Sequence, residues 1–210
     1  MLMKPRSKAK IKQSSKGASK SKRENALAQK WVVVSVDGKV AGISTDYKVL
    51  SRVTEYLAEQ GVLYGEIVAK TVGFDYVWEL RGRLCWEDLY IIGSKFQKKV
   101  WRTLYDLTHD ENGLMGVPRL YSYSDIAQMC DNLPGVRSVA HAIGLNPISV
   151  IIPCHLVIPK ESKEKIEEIQ KNAEVTLFKG DGICFTNSID FGEYALGKDL
   201  KSMIIAQELE

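Results

Sequence analysis

The sequence predicts a mixed α/β (α+β) protein, with a small N-terminal α/β domain followed by a mainly helical domain. Three observations support this. Two apolar segments flank Asp37-Gly38, helix-capping patterns recur from Ser94 onward, and Gly93 separates these two regions. Hydrophobic residues make up 45% of the 210 residues, which is enough to build the core of one or two small domains.

The charge is divided unevenly along the chain. Residues 1–30 hold ten Lys or Arg and one acidic residue, whereas residues 31–210 hold 19 basic and 25 acidic residues. We expect residues 1–29 to form a basic, disordered tail, either a solubilising segment or a nucleic-acid-binding arm. No secretory signal and no apolar stretch of membrane-spanning length is evident, so the chain is predicted to be cytoplasmic or nuclear, without membrane contact.

The N-terminal domain is predicted to cover residues 30–92. WVVVSV and KVAGIS, joined by Asp37-Gly38, indicate a β-hairpin with a type I′ turn. Thr45 is predicted to cap a helix that ends near Gly61. FDYVWEL and RLCWEDLYII are predicted to form two further strands.

The second domain is predicted to cover residues 93–210. Ser94 with Gln97, and Ser122 with Asp125, form two capping boxes. Two short helices, SDIAQMC and residues 136–144, joined by a tight turn, predict a winged helix-turn-helix-like DNA-binding motif.

The rest of this domain contains three more features. ISVII predicts a buried strand that leads into Pro153-Cys154-His155, and residues of about 158–190 form a charged insertion on the side away from DNA. Within it, residues 160–174 are expected to be an exposed helix or a mobile segment. An apolar helix closes the chain near Glu208.

The cysteines carry no paired spacing, and only three histidines are present. We therefore expect reduced thiols and neither a metal site nor a cofactor. Cys154 is the cysteine of interest, because it follows a buried-looking strand and precedes a Pro-bounded loop. The triplet alone is a weak signal, since a single cysteine is most often a core residue.

Four motifs sharpen this interpretation: GSKFQKKVW (93–101), SYSDIA (122–127), GVRSVAHAIGLNPISVIIPCH (135–155) and GEYALG (192–197). In this order the chain resembles the O6-alkylguanine–DNA alkyltransferase (methylated-DNA–protein-cysteine methyltransferase) family. The resemblance implies DNA repair by a single, stoichiometric transfer of the alkyl group from O6-alkylguanine to Cys154 after base flipping. O4-alkylthymine is a further candidate substrate, and the partner is double-stranded DNA bound by a monomer.

The resemblance also assigns roles to individual residues. His155 would act as a base through water, Glu208 would orient His155, and Asn146 would brace the turn around Cys154. Tyr123 would rotate a phosphate and donate a hydrogen bond to guanine N3. The remaining substrate- and DNA-binding residues implied by it are Arg137 as the finger that replaces the flipped base, Tyr194 at the alkyl pocket, Ser138, Ala140 and Val157.

Leu156 and Ala195 depart from the family pattern, which usually has Arg after Pro-Cys-His and a small hydroxyl residue or glycine at the second position. Three alternatives therefore stay open. They are a lesion-binding alkyltransferase-like protein without transfer, a helix-turn-helix regulator, and a cysteine hydrolase.

Overall fold

The computed structural model describes residues 28–62, 67–109, 119–172 and 189–209. Five strands and seven α-helices lie in these ranges. In chain order they are β1 (Trp31–Val36), β2 (Lys39–Ser44), α1 (Tyr47–Glu59), β3 (Ile67–Val72), α2 (Phe74–Arg81), α3 (Lys95–Asp106), β4 (Tyr121–Ser122), α4 (Tyr123–Met129), α5 (Val136–Gly144), β5 (Val157–Ile158), α6 (Lys160–Asn172) and α7 (Lys198–Leu209). The mixed α/β class is confirmed.

The N-terminal strands form a three-stranded antiparallel sheet in the order β2-β1-β3. Asp37 and Gly38 both have positive φ, 50° and 77°, which is the backbone of a type I′ turn and confirms the predicted hairpin. The register between β1 and β2 shifts between Val34 and Ser35, where the bulge increases the local twist.

The sheet buries a different cluster on each face. Alternate residues such as Val34 and Val36 pack with Leu50, Val53 and Leu57 of α1. The opposite face places Trp31, Val33 and Ile43 in a larger cluster shared with the helices of the second domain. The domain boundary at residues 92 and 93 stays a prediction, because this cluster contains residues from both sides of it.

Three N-terminal predictions are wrong. The cap of α1 is Asp46, whose side chain accepts a hydrogen bond from the Lys48 N–H at 2.9 Å, and not Thr45. FDYVWEL is helical, because Phe74, Val77 and Arg81 share one buried helix face despite the β-favouring aromatic residues. RLCWEDLYII forms a short 3-10 helix, Trp86–Asp88, and one isolated bridge at Leu89.

The missed strand is β3, IVAKTV, which pairs with β1 along its whole length. Its β-branched residues favour a strand, but most of its positions are exposed, so no apolar-polar alternation marks it.

Both predicted capping boxes are confirmed. The Ser94 N–H donates to Gln97 Oε1 at 2.8 Å, and the Ser122 N–H donates to Asp125 Oδ2 at 2.8 Å. The helices α4 and α5 follow each other, joined by a 3-10 turn over Leu133–Gly135. The helix-turn-helix pair is therefore present, while its assignment as a winged DNA-binding motif stays a prediction. The Trp101 indole N–H of α3 donates to the Ala142 carbonyl at 2.8 Å and fixes α5 on the core.

The segment ISVII is not a continuous strand, contrary to the prediction. Its residues form a turn with isolated bridges, one between Ile43 and Ile148 and one between Ser149 and Ile152. The cause is the side chain of Asn146, which takes backbone hydrogen-bonding positions that a strand would otherwise use.

Residues 160–172 form the helix α6, so the predicted helical insertion is confirmed over that range, and the remainder lies outside the described residues. The helix is not wholly exposed, since Ile166 is buried with Phe191 and Ile205. Which side of the molecule faces DNA stays a prediction. No helix in the described ranges is long and apolar enough to cross a membrane.

Candidate active site

Cys154 lies at the start of a short 3-10 helix, Cys154–Leu156, which begins after Pro153. The side chain of Asn146 holds this turn. Its Nδ2 donates to the Ile152 carbonyl at 2.8 Å and lies 3.1 Å from Cys154 Sγ, while its Oδ1 accepts from the Ile148 N–H at 3.0 Å. One buried amide therefore fixes both the backbone and the sulfur.

Two further features hold the turn in place. Val150 has a φ of 75°, a left-handed conformation that is strained for a β-branched residue. The edge of β2 supports it from the other side, because the Ile43 N–H donates to the Pro147 carbonyl at 2.8 Å and the Ser149 N–H donates to the Ile43 carbonyl at 3.0 Å. The N-terminal sheet is thus part of the scaffold of this turn.

The surroundings of Cys154 act on its ionisation in opposite directions. Burial raises the pKa of the thiol, because a thiolate is poorly solvated there. Hydrogen bonds from Asn146 and Tyr194 and the positive charge of Lys201 lower the pKa. The net direction is upward, so the buried thiol needs a base to remove its proton.

A buried chain of three charged or titratable groups begins at the next residue. His155 Nε2 lies 2.7 Å from Glu208 Oε1, and Glu208 Oε2 lies 2.8 Å from Arg81 Nη1. All three side chains are at most 4% exposed. Burial is the main cause that lowers the pKa of His155, and Arg81 and Lys201 act in the same direction, whereas Glu208 raises it. His155 is therefore kept neutral at physiological pH.

Lys201 is a second buried cation near the sulfur. It is 1% exposed, and its Nζ donates to the Val157 carbonyl at 2.7 Å. Burial lowers the pKa of Lys201 to about 8, and the charge of Cys154 works against that shift. Val157 itself is fully buried.

Two tyrosines close the site. The Tyr194 hydroxyl lies 4.0 Å from Cys154 Sγ, and burial raises the pKa of Tyr194 well above its ordinary value. Burial also raises the pKa of Tyr123 at the start of α4, and the charge of Cys154 adds to this effect. Both hydroxyls therefore keep their protons at neutral pH and remain hydrogen-bond donors.

The outer face of α5 has a different character. Arg137, Ser138 and His141 are exposed, and Ala140 is half-buried. Val139, Ala142 and Ile143 form the inner face and are buried. The helix thus presents one arginine, one histidine and the small side chains of Ser138 and Ala140 to solvent, so that another surface can approach closely at the small residues.

The structure brings together Cys154, His155, Glu208, Asn146, Tyr123, Tyr194 and Val157. Arg137, Ser138 and Ala140 lie on α5, outside its buried inner face. Their functional roles stay predictions.

Sequence reasoning missed Arg81 and Lys201. Helical spacing was the available signal, because Arg81 falls on the face of Phe74 and Val77, and Lys201 falls one turn before Ile204 and Ile205.

Comparison with known proteins gives one consistent result. Residues 95–176 match the model of the 6-O-methylguanine DNA methyltransferase DNA-binding domain. A protein of Acanthamoeba polyphaga mimivirus, named a probable methylated-DNA–protein-cysteine methyltransferase, is 40% identical over 75 residues, or 36% of this chain and 45% of that protein. The methylated-DNA–protein-cysteine methyltransferase of Haemophilus influenzae is 36% identical over 69 residues, or 33% and 34% of the two chains.

The O6-methylguanine-DNA methyltransferase structure from Pyrococcus kodakaraensis has a TM-score of 0.49 and 22% identity, and the match covers 85% of this chain and 91% of that one. The chain spans less than half the length of the curated relatives that it matches. The resemblance predicted from the sequence motifs is confirmed by the family model and by these relatives.

Proposed function

We propose, from the premise that residues 95–176 carry the DNA-binding domain of the 6-O-methylguanine DNA methyltransferase family, that this chain repairs alkylated DNA. It takes the alkyl group from the O6 atom of guanine in double-stranded DNA onto Cys154 and acts once. The observation that carries the proposal is the buried Cys154 beside Asn146, followed directly by the paired His155 and Glu208.

The transfer is a displacement at the alkyl carbon. The Cys154 sulfur forms a bond to that carbon, the bond from the carbon to guanine O6 breaks, and its electron pair stays on the guanine. The proton of the thiol leaves through His155, and the guanine regains one proton, so the products are a thioether and an unmodified base. The thioether is stable, because a thiolate is a poor leaving group from an alkyl carbon. The reaction is therefore stoichiometric.

His155 and Glu208 supply the base. Because His155 Nε2 is bonded to the carboxylate, the neutral imidazole keeps its proton there and leaves the lone pair of Nδ1 free to accept one. The resemblance implies that water carries the proton from Cys154 to Nδ1. The pKa of the thiol is raised by burial, so this removal of the proton is a necessary step before attack.

Tyr123 and Tyr194 act on the alkylated guanine. Both hydroxyls are protonated at neutral pH, since burial raises the pKa of each. By the resemblance, Tyr123 donates a hydrogen bond to guanine N3 as negative charge develops on the leaving base, and Tyr194 encloses the alkyl group. A donor aimed at developing charge lowers the barrier of the transfer.

DNA contact is assigned to α5. Base flipping costs a few kcal/mol of stacking and pairing, and Arg137 is the exposed side chain on α5 suited to occupy the space that the base leaves. Ser138 and Ala140 are small enough to let the helix approach the minor groove, where readout is degenerate. This suits a lesion that can occur in any sequence context. The protein acts as a monomer.

The test is the intact mass of the full chain after incubation with a duplex that carries one O6-methylguanine. The proposal predicts that each protein gains one methyl group and that the duplex becomes unmodified in equal amount. An unchanged protein mass together with tight, lesion-dependent binding would replace transfer by the lesion-binding alternative. An unchanged mass with binding to one DNA sequence would favour the regulator.

A further inference from the structure

We propose that Arg81, at the end of α2, is a positioning residue of the His155–Glu208 relay, supplying the positive charge beside Glu208 that keeps His155 neutral. This inference rests on the proposed function for its consequence, but its structural part concerns only the relay. Arg81 lies outside residues 95–176, the range that matches the family model.

The geometry places Glu208 between two partners. One carboxylate oxygen faces His155 at 2.7 Å and the other faces Arg81 Nη1 at 2.8 Å. Without a cation on its other side, a buried carboxylate favours a proton on the imidazole beside it, because that proton offsets the poorly solvated negative charge. The guanidinium removes that tendency, since it keeps its charge at every physiological pH.

Arg81 makes few polar contacts besides the one with Glu208. Its Nε and Nη2 are buried without a hydrogen-bond partner among the described residues, and its guanidinium lies 5.1 Å from the centre of the Trp78 ring. A buried ion pair of this kind is weak evidence for a stabilising role, because desolvation of the two ions offsets their attraction. A role in setting the protonation state of His155 is consistent with this desolvation cost.

The charges that face His155 are those of Glu208, Arg81 and Lys201, and the neighbouring titratable group is Cys154. Glu208 favours the protonated imidazole, and the two cations oppose it. Lys201 loses its proton and its charge as the pH rises through the neutral to alkaline range, because its pKa is lowered to about 8. Arg81 is therefore the permanent positive charge in this group.

Leu156, next to His155, is apolar and fully buried, so it places no charge at the relay. The charge comes instead from the end of α2, a helix that packs on the sheet which also holds the Cys154 turn. The N-terminal domain thus contributes to the site twice, through the backbone of Ile43 and through Arg81.

The experiment follows His155 directly by NMR titration of its ring nitrogens in the full chain, in the wild type and in three variants. Arg81→Gln keeps a polar side chain and loses the charge, and Arg81→Lys keeps the charge. Arg83→Gln is the matched control, because Arg83 is exposed and pairs with Glu79 at 3.3 Å. The exposed His141 is the internal reference in each sample.

We expect Arg81→Gln to move the titration midpoint of His155 to higher pH, while Arg81→Lys and Arg83→Gln leave it in place. The rate of methyl transfer from free O6-methylguanine should then begin to rise at a correspondingly higher pH. Below the midpoint, where most of His155 is protonated, the rate should fall about tenfold for each unit of the displacement. An unchanged His155 midpoint in Arg81→Gln, or an imidazolium at neutral pH in the wild type, would overturn the proposal.

The readouts separate two failures. If the wild type transfers no methyl group, the proposed function fails, while the His155 titration still tests Arg81. If Arg81→Gln does not fold, the wild-type titration decides, because the proposal requires a neutral His155 with its proton on Nε2. A loss of thermal stability in Arg81→Gln with an unmoved midpoint would identify a purely structural ion pair.

Discussion

The turn around Cys154 and the outer face of α5 are neighbours in the chain but differ in every physical respect. Around the turn, the side chains of Asn146, His155 and Glu208 are buried, and each contacts another group of the protein. On α5, Arg137, Ser138 and His141 are exposed. A buried polar group depends on partners within the fold, whereas an exposed one can bind water or another molecule. The groups proposed for the transfer step are therefore held in place in the free protein, whereas those proposed for DNA recognition are not.

The largest effect should come from removing the nucleophile. Cys154→Ser should lower methyl transfer from both duplex and free base by on the order of 10⁴-fold or more, because a serine hydroxyl does not ionise near neutral pH. Stopped-time mass measurements give the rate. Cys130→Ser is the matched control, since Cys130 is also buried and its thiol contacts Thr103 at 3.4 Å. Loss of transfer in Cys130→Ser as well would show that the effect is not specific to Cys154.

Glu208→Gln should affect both rate and stability. Without the carboxylate, we expect transfer to slow by about 10²-fold, and the uncompensated Arg81 should cost about 3–5 kcal/mol of unfolding free energy. Chemical denaturation measures the second effect. Adding Arg81→Met to Glu208→Gln should recover much of the stability and none of the rate. A simultaneous recovery of rate would show that the pair serves only the fold.

The buried region should also respond to pH through Lys201. Its folded pKa of about 8 lies below its ordinary value of 10.5, so between these values the folded state binds fewer protons than the unfolded state. The contribution of Lys201 to stability therefore increases as pH rises through this window, by about 3 kcal/mol. Compared with Lys201→Met, the wild type should gain stability over this range. Lys48→Met, at an exposed lysine of α1, is the control.

A substitution on the exposed outer face of α5 should have the smallest effect on transfer, and the most selective one. Arg137→Ala should slow transfer from duplex DNA by about tenfold or more, since an extruded base then leaves an unfilled space. The reaction with free O6-methylguanine should keep its rate, because the Arg137 side chain is exposed on the outer face of α5. Arg52→Ala, at an exposed arginine of α1, is the control. Equal slowing of both substrates would remove the distinction between the two regions.

The sequence predicted those parts of the fold that depend on local signals. The Asp37-Gly38 turn, the Ser94 and Ser122 capping boxes and the last helix follow from neighbouring residues alone. The helix Phe74–Arg81 was missed, because its aromatic residues favour strands in isolation and only tertiary packing decides the outcome.

The candidate site divides in the same way. The family motifs identified Cys154, His155, Asn146 and Glu208, and the structure places them together. Arg81 carries no local motif, and its contact with Glu208 exists only after α2 and α7 come together in the fold. A charged residue on an apolar helix face is the one pattern that points to such a partner.

Peptide mapping of the methylated protein tests the central claim most directly. After reaction with duplex containing O6-methylguanine, the protein is digested and the remaining free thiols are labelled. We predict one methyl group on the peptide that contains Cys154 and full labelling of Cys85 and Cys130. A free, labelled Cys154 in protein that has gained a methyl group elsewhere would contradict this account.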